Sequence, residues 1–216
     1  MILDINNLWL FALSVFLLSV TPGPDMAYVV GQSVANGRRA GIVSAAGVAL
    51  GSCTHAIASV VGLTALIAAS PSLFMVIKYL GALYLIYLGV RLIIGTLAYK
   101  PAGMEGEASV IKRGARSKDL LAKGFITTLT NPKVLLFFVS FFPQFVVPNG
   151  SHQAESLLLL GLVYTLVAFL TDAMFAVLAG SAAGAVSHNH RIQSLFERVV
   201  GVTFVSLGVR LALSHR

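Results

Sequence analysis

Charge is what this sequence has least of. Of its 216 residues only 11% are Asp, Glu, Lys or Arg, while 57% are hydrophobic and the mean hydropathy is +0.88. Ordinary soluble domains carry roughly 25% charged residues, so a soluble globular class is excluded and most of the chain belongs in lipid. Carboxylates are the scarcer sign, with 8 Asp and Glu against 15 Lys and Arg, for a net charge of +7. That surplus sits in short connections rather than on a folded polar face. It reads as a topology signal, not as a nucleic-acid surface. Cysteine is nearly missing. The lone Cys53 excludes an internal disulfide and a two-thiol redox relay, and it reads as a small apolar residue packed in a helix. The start, Met1-Ile2-Leu3-Asp4, has no basic n-region and no cleavage motif follows, so a removable signal peptide is not expected. No GxxxxGK[ST] loop occurs, which leaves ATP-driven transport unsupported. His152, His188 and His190 lie in connections without a second ligand set, so neither a metal nor another cofactor is expected.

What is present is a series of apolar runs, at about 8–32, 42–69, 73–95, 122–147, 156–183 and 196–213. A membrane-spanning helix needs roughly 20 such residues. The spacing therefore predicts an all-α integral membrane protein of six transmembrane helices. Lys and Arg favour the first, third and fifth connections: Arg38-Arg39, the mixed-charge segment 96–121, and Arg191 with two histidines nearby. The second and fourth connections, Ser70-Pro71-Ser72 and Pro148 to Glu155, have none. The positive-inside bias makes the basic side cytoplasmic and puts both termini outside, with Arg210 and Arg216 counting against it. Residues 96–121 read as a solvated, flexible linker.

The halves resemble each other. Leu88-Gly89-Val90-Arg91-Leu92 recurs as Leu207-Gly208-Val209-Arg210-Leu211, and Lys78 before Gly81 matches Arg198 before Gly201. Thr54-His55-Ala56 matches Thr171-Asp172-Ala173, and Thr21-Pro22 aligns with Asn131-Pro132. Residues 1–95 and 122–216 are thus expected to be two three-helix repeats. Three spans per repeat is an odd number, so the second copy enters the membrane inverted, as in many secondary transporters that hold substrate between their halves.

Helices 1 and 4 are expected to be broken. Pro22 and Pro24 flank Gly23 inside the first apolar run, and Pro132 interrupts the fourth; proline removes a donor and clashes with the preceding turn. Irregular backbone at membrane depth survives only where protein buries it or water reaches it. Each break also starts a half-helix whose unpaired N–H groups and partial positive end attract a carboxylate. The candidate substrate-binding residues are therefore Thr21, Pro22, Gly23, Pro24 and Asp25, with Asn131, Pro132 and Lys133. Gly23 permits close approach of a ligand or a neighbouring chain. Kinks sealed by neighbouring helices are the alternative, and Lys133 could also snorkel to the surface. Asp25, His55 and Asp172 are the charge-capable residues deepest in their spans. Such groups face a cavity or a partner. His55 and Asp172, at matched repeat positions, are expected to approach each other, and one of the three is expected to carry the proton that drives transport. A static polar bond between helices is the competing reading. Phe137, Phe138, Phe141, Phe142 and Phe145 read as lipid-facing or packing residues, and Gly47 with Gly51 as a close helix contact.

Thr21-Pro22-Gly23-Pro24, Gly37-Arg38-Arg39-Ala40-Gly41, Gly47 and Gly51 with His55, Gly81-Ala82-Leu83-Tyr84-Leu85, and Asn131-Pro132-Lys133 with Phe142-Pro143-Gln144-Phe145 together resemble the LysE/RhtB family of amino-acid exporters. The likeness covers nearly the whole chain. It implies a multi-pass carrier of the bacterial inner membrane, working as a homodimer, that expels amino acids or close derivatives in exchange for protons. The family shares these motifs across substrates, so they do not name the cargo. An exporter of another small solute or ion remains open, as does an intramembrane enzyme using His55 with Ser59 or Ser140. No nucleophile-elbow sequence supports the latter.

Overall fold

The computed structural model describes residues 4–69, 71–97, 114, 116–147, 150–180 and 190–213. Its elements are α1 (Leu8–Val20), α2 (Pro24–Asn36), α3 (Arg38–Ala69), α4 (Pro71–Leu97), α5 (Ser117–Leu129), α6 (Pro132–Ser140), a 3-10 turn (Phe142–Phe145), α7 (Gln153–Ala179) and α8 (His190–Leu213). Among the described residues the structure is all-helical apart from one isolated antiparallel bridge between Ile5 and Val146.

The prolines set the first break. Thr21 N–H still closes the last turn of α1 on Leu17 O and Leu18 O, both at 3.2 Å, but Pro22 has no N–H to continue it. Gly23 is fully extended, and Pro24 opens α2 at a position where a missing donor costs nothing. The axes of α1 and α2 differ by 58°. The second break is capped differently. Asn131 Oδ1 accepts from Lys133 N–H at 3.0 Å, Pro132 opens α6, and the chain from α5 into α6 bends by 55°.

By length and apolarity, α3 and α7 qualify as single membrane spans and the two bent pairs as two more. That makes four among the described residues, against the six drawn from the sequence; α4 adds the shorter apolar stretch Tyr79–Gly95. Several helices also outrun the apolar runs that announced them. Helix α2 continues to Asn36 and α3 restarts at Arg38, with only Gly37 between, at a positive φ of 85° that favours glycine. Of the expected linker, 98–113 and 115 lie outside the described residues, as do 184–189 of the fifth connection.

Packing rests on glycine. Lipid gives no hydrophobic drive for helices to associate, so close van der Waals fit must do it. Gly47 sits directly on the Leu121 backbone of α5, Gly51 on Thr128, and Gly124 on Ser44 O. Helix α7 lies antiparallel on α3, with Gly41 against Ala176 near one end and Ala56 against Gly161 near the other. In the α4–α8 pair, Gly89 meets Gly201 and Val205, while Gly208 meets Ala82 and Ile86. Cys53 packs into the α3–α7 contact, its Sγ 3.6 Å from Thr165 Oγ1.

Two ends can be told apart. At one, Gly114 N–H bonds Asn36 Oδ1 at 2.9 Å and Arg38 lies over Gly180. At the other, Asn6 N–H bonds Phe145 O at 2.8 Å, Val147 N–H bonds Asp4 O at 2.8 Å, and Asp4 Oδ2 accepts from His152 N–H at 2.7 Å. The Arg38-Arg39 turn and the start of α5 thus share an end, opposite the N-terminal residues. Toward the N-terminal end the core is aromatic. Phe11, Phe137, Phe138, Phe141, Phe142 and Phe145 are buried, with ring centroids 4.6 Å apart for Phe137–Phe141 and 5.2 Å for Phe11–Phe145. These phenylalanines therefore pack inside rather than face lipid.

Candidate functional site around the two helix breaks

The breaks meet, and each supplies what the other lacks. The last carbonyls of α1 have no partner of their own, and α1 presents the negative end of its dipole there. Lys133, from the first turn of α6, reaches across and donates from Nζ to Thr21 O at 2.9 Å and Leu18 O at 3.1 Å. In the other direction Asp25, in the first turn of α2, lies at the positive end of that helix and accepts from Asn131 Nδ2 at 2.9 Å. Its other oxygen faces Thr128 Oγ1 at 3.2 Å. Thr128 Oγ1 is equally close to Gly124 O, so its one proton serves one acceptor at a time. Asn131 spends its carbonyl on the α6 cap and its amide on Asp25, so one side chain ties both breaks.

Gly23 explains itself here. Its φ and ψ are extended and open to any residue, but a Cβ would lie 3.0 Å from the Lys133 ammonium. The close neighbour that Gly23 admits is Lys133.

Lys133 and Asp25 border a small cavity with Asp172. Apolar walls come from Leu18 of α1, Met26 of α2, Val48 of α3, Val134 of α6 and Ala168 of α7, and the Tyr164 ring adds a face. Its free volume is about 20 Å³, room for a water molecule and not for an amino acid. Asp172 is 4% exposed and forms no hydrogen bond with another described residue. A buried carboxylate left without donors is costly and is held for a partner that comes and goes or for a counter-charge nearby.

The predicted residues fall into three groups. Asp25, Lys133 and Asp172 surround the cavity. Thr21, Gly23 and Asn131 hold the backbone around it: Thr21 Oγ1 turns back to Leu17 O at 2.7 Å, and Asn131 is buried. Pro22, Pro24 and Pro132 are exposed and do not line the cavity. His55 is buried beside the site. Its Nε2 lies 3.1 Å from Thr128 O, which makes Nε2 the protonated nitrogen, and its ring stacks on Phe138 at 5.8 Å. It approaches Asp25 through Thr128, and no hydrogen bond or ion pair joins it to Asp172 among the described residues. No group of three His, Cys, Asp or Glu stands close enough to hold a metal ion among those residues. Sequence reasoning did not single out Tyr164 and Ala168. Their signal was the spacing of Tyr164, Ala168 and Asp172, four residues apart on one face of α7.

The two sides of the cavity differ. Toward the Arg38 end runs a seam of buried polar side chains: Ser52 and Ser44 on α3, with Gln32 and Ser33 on α2. Tyr28 Oη closes it by donating to Leu120 O at 2.8 Å, and Ser33 Oγ donates to Ala176 O. Ser44 Oγ, fully buried beside Tyr28, makes no hydrogen bond of proper geometry among the described residues. Toward the N-terminal end stand the tilted, closely packed phenylalanines, joined to Tyr164 with centroids 4.5 Å from Phe138 and 5.5 Å from Phe137.

The sequence model of the LysE type translocator family matches residues 16–215. The chain belongs to this family. This LysE type translocator is thus a transporter and not an enzyme. It is 29% identical over 209 residues to the leucine efflux protein of Enterobacter sp. (strain 638), covering 97% of this chain and 96% of that one. It is 31% identical over 207 residues to the leucine efflux protein of Salmonella typhimurium, covering 95% and 94%. An uncharacterized membrane protein of Pseudomonas aeruginosa is 33% identical over 210 residues, covering 97% and 96%. No solved structure matches this translocator.

Proposed function

We propose that this translocator exports amino acids from the cytoplasm by proton antiport, holding the substrate where the breaks between α1 and α2 and between α5 and α6 meet. The observation that carries the reading is the cavity itself: two carboxylates and one ammonium beside apolar walls, at the ends of half-helices. A zwitterion has an ammonium for the carboxylates and a carboxylate for a half-helix N-terminus or for Lys133. The apolar walls suit an aliphatic side chain, in keeping with the leucine efflux proteins among its relatives. Asp25, His55 and Asp172 are the candidates for the coupled proton. With free volume for only a water molecule, the cavity must widen to admit cargo, and that is the motion an alternating carrier makes.

The inverted repeat belongs to the same reading. Gly89 meets Gly201 and Val205, and Gly208, its repeat mate, meets Ala82 and Ile86, which fall opposite those two when the Leu-Gly-Val-Arg-Leu motifs are aligned, one residue off the Gly81–Gly201 register. Reciprocal contacts of this kind are what a pseudo-twofold axis produces. We place the protein in the bacterial inner membrane, with the Arg38 end cytoplasmic and both termini outside, as a homodimer. Counterflow tests the function: proteoliposomes preloaded with L-leucine take up labelled L-leucine, and an inward proton gradient drives net export. A panel of other amino acids ranks the cargo. Absence of counterflow with every amino acid, alongside transport of another solute, overturns it.

A further inference from the structure

The three charged groups of the cavity are not equally occupied, and the difference assigns them separate tasks. Asp25 has donors for both oxygens, Asn131 Nδ2 at 2.9 Å and Thr128 Oγ1 at 3.2 Å. Lys133 has given two of its three donors to Leu18 O and Thr21 O. Both side chains therefore bind protein, each holding the opposite break. Asp172 alone is 4% exposed, borders the cavity and has no hydrogen-bond donor among the described residues. We propose that Asp172 is the one carboxylate that the substrate's α-ammonium and the exported cargo's counter-proton occupy in turn, while Asp25 and Lys133 clasp the breaks together.

This rests on the cavity being the substrate site. The charge count agrees with it. Two carboxylates against one ammonium leave one negative charge for a second cation to meet. The titratable groups that face Asp172 are Asp25 from α2, Lys133 from α6 and Tyr164 two turns earlier on α7. On α3, His55 is turned to Thr128. Without cargo, Asp172 holds a proton. The incoming ammonium displaces that proton to the cytoplasmic side and pairs with the bare carboxylate; once the cargo leaves on the far side, a proton from there takes its place. Ammonium and proton never share the carboxylate, so net leakage of either alone is suppressed. The cargo must then carry a cationic amine, and a hydroxy acid of the same shape is refused.

The test uses purified protein in weakly buffered detergent solution, with L-leucine as the probe and a pH dye as the readout. In the wild type, leucine releases protons, whereas 2-hydroxy-4-methylpentanoate neither releases protons nor competes with leucine. Asp172→Asn loses the release and binds leucine at least about 30-fold more weakly, the usual cost of removing one partner of a buried charge pair. Asp172→Glu, which keeps the carboxylate, keeps the release. Ala168→Phe fills the cavity and abolishes binding. Wild-type leucine affinity in Ala168→Phe overturns the cavity reading and with it the role of Asp172. If Ala168→Phe is inert but Asp172→Asn still binds leucine and releases protons, only the role of Asp172 falls. Equal competition by the hydroxy acid in the wild type also overturns that role, without recourse to any variant.

Discussion

At the scale of residues, the site is a set of exchanged hydrogen bonds, and the cost of losing each can be stated. Asn131 serves Asp25 and the Lys133 backbone at once. Asn131→Ala strands two buried groups, each worth about 1–3 kcal/mol when left unpaired. The expected outcome is a lower melting temperature and counterflow reduced by about tenfold or more, since a shift of 1.4 kcal/mol is already a factor of ten. Gly23→Ala acts differently. The added methyl would lie 3.0 Å from Lys133 Nζ, the end of a flexible side chain that can swing away, so stability should change little. What changes is the bond to Thr21 O, and flux should fall several-fold with the melting temperature nearly unchanged. A melt in detergent and a flux assay on both variants check the contrast. Asp25, Lys133 and Asp172 were legible in the sequence because a charge in an apolar run has few explanations. The double duty of Asn131 and the wall formed by Tyr164 and Ala168 were not, because both depend on which helix lies opposite.

At the scale of elements, the prolines set where the backbone breaks. Pro22 is exposed and does not line the cavity, yet it stops α1 where Lys133 needs bare carbonyls. Pro22→Ala should let α1 extend by a turn, cutting turnover while membrane insertion is kept; unchanged flux would reduce the break to a packing kink. Gly47, by contrast, is a contact, seated on the Leu121 backbone. Gly47→Leu should separate α3 from α5 at a cost of roughly 1–3 kcal/mol, seen as a lower melting temperature. Both breaks could be read from the sequence because proline forbids the same thing in any surroundings. Helix ends could not. Gln32, Ser33 and Asn36 look like the approach to a turn, but Ser33 is held by Ala176 O and Asn36 by Gly114, so α2 runs on to Gly37.

At the scale of the whole molecule, the two ends of the cavity present opposite materials: a polar seam around Tyr28 and Ser44, and a cluster of rings around Phe141. With Cys53 changed to Ser as background, Ser44→Cys should react with a small aqueous thiol reagent during turnover, and leucine should alter the rate. Phe141→Cys should react far more slowly. The expected repeat organisation had a visible signature in the recurring Leu-Gly-Val-Arg-Leu motif, whose glycines turn up in the α4–α8 crossing. Which side of the cavity would be polar had none, since Ser44 and Ser52 are ordinary helix residues until α2 is laid over them.

That contrast has an energetic consequence. Parting the Tyr28 side trades protein hydrogen bonds for bonds to water, which is nearly even. Parting the ring side wets aromatic surface at about 25 cal/mol for every square ångström. Under the proposed function, this contrast favours opening toward the Arg38 end and puts the main barrier on the ring side. Trimming a ring, as in Phe141→Ala, should therefore quicken discharge and weaken the resting preference together.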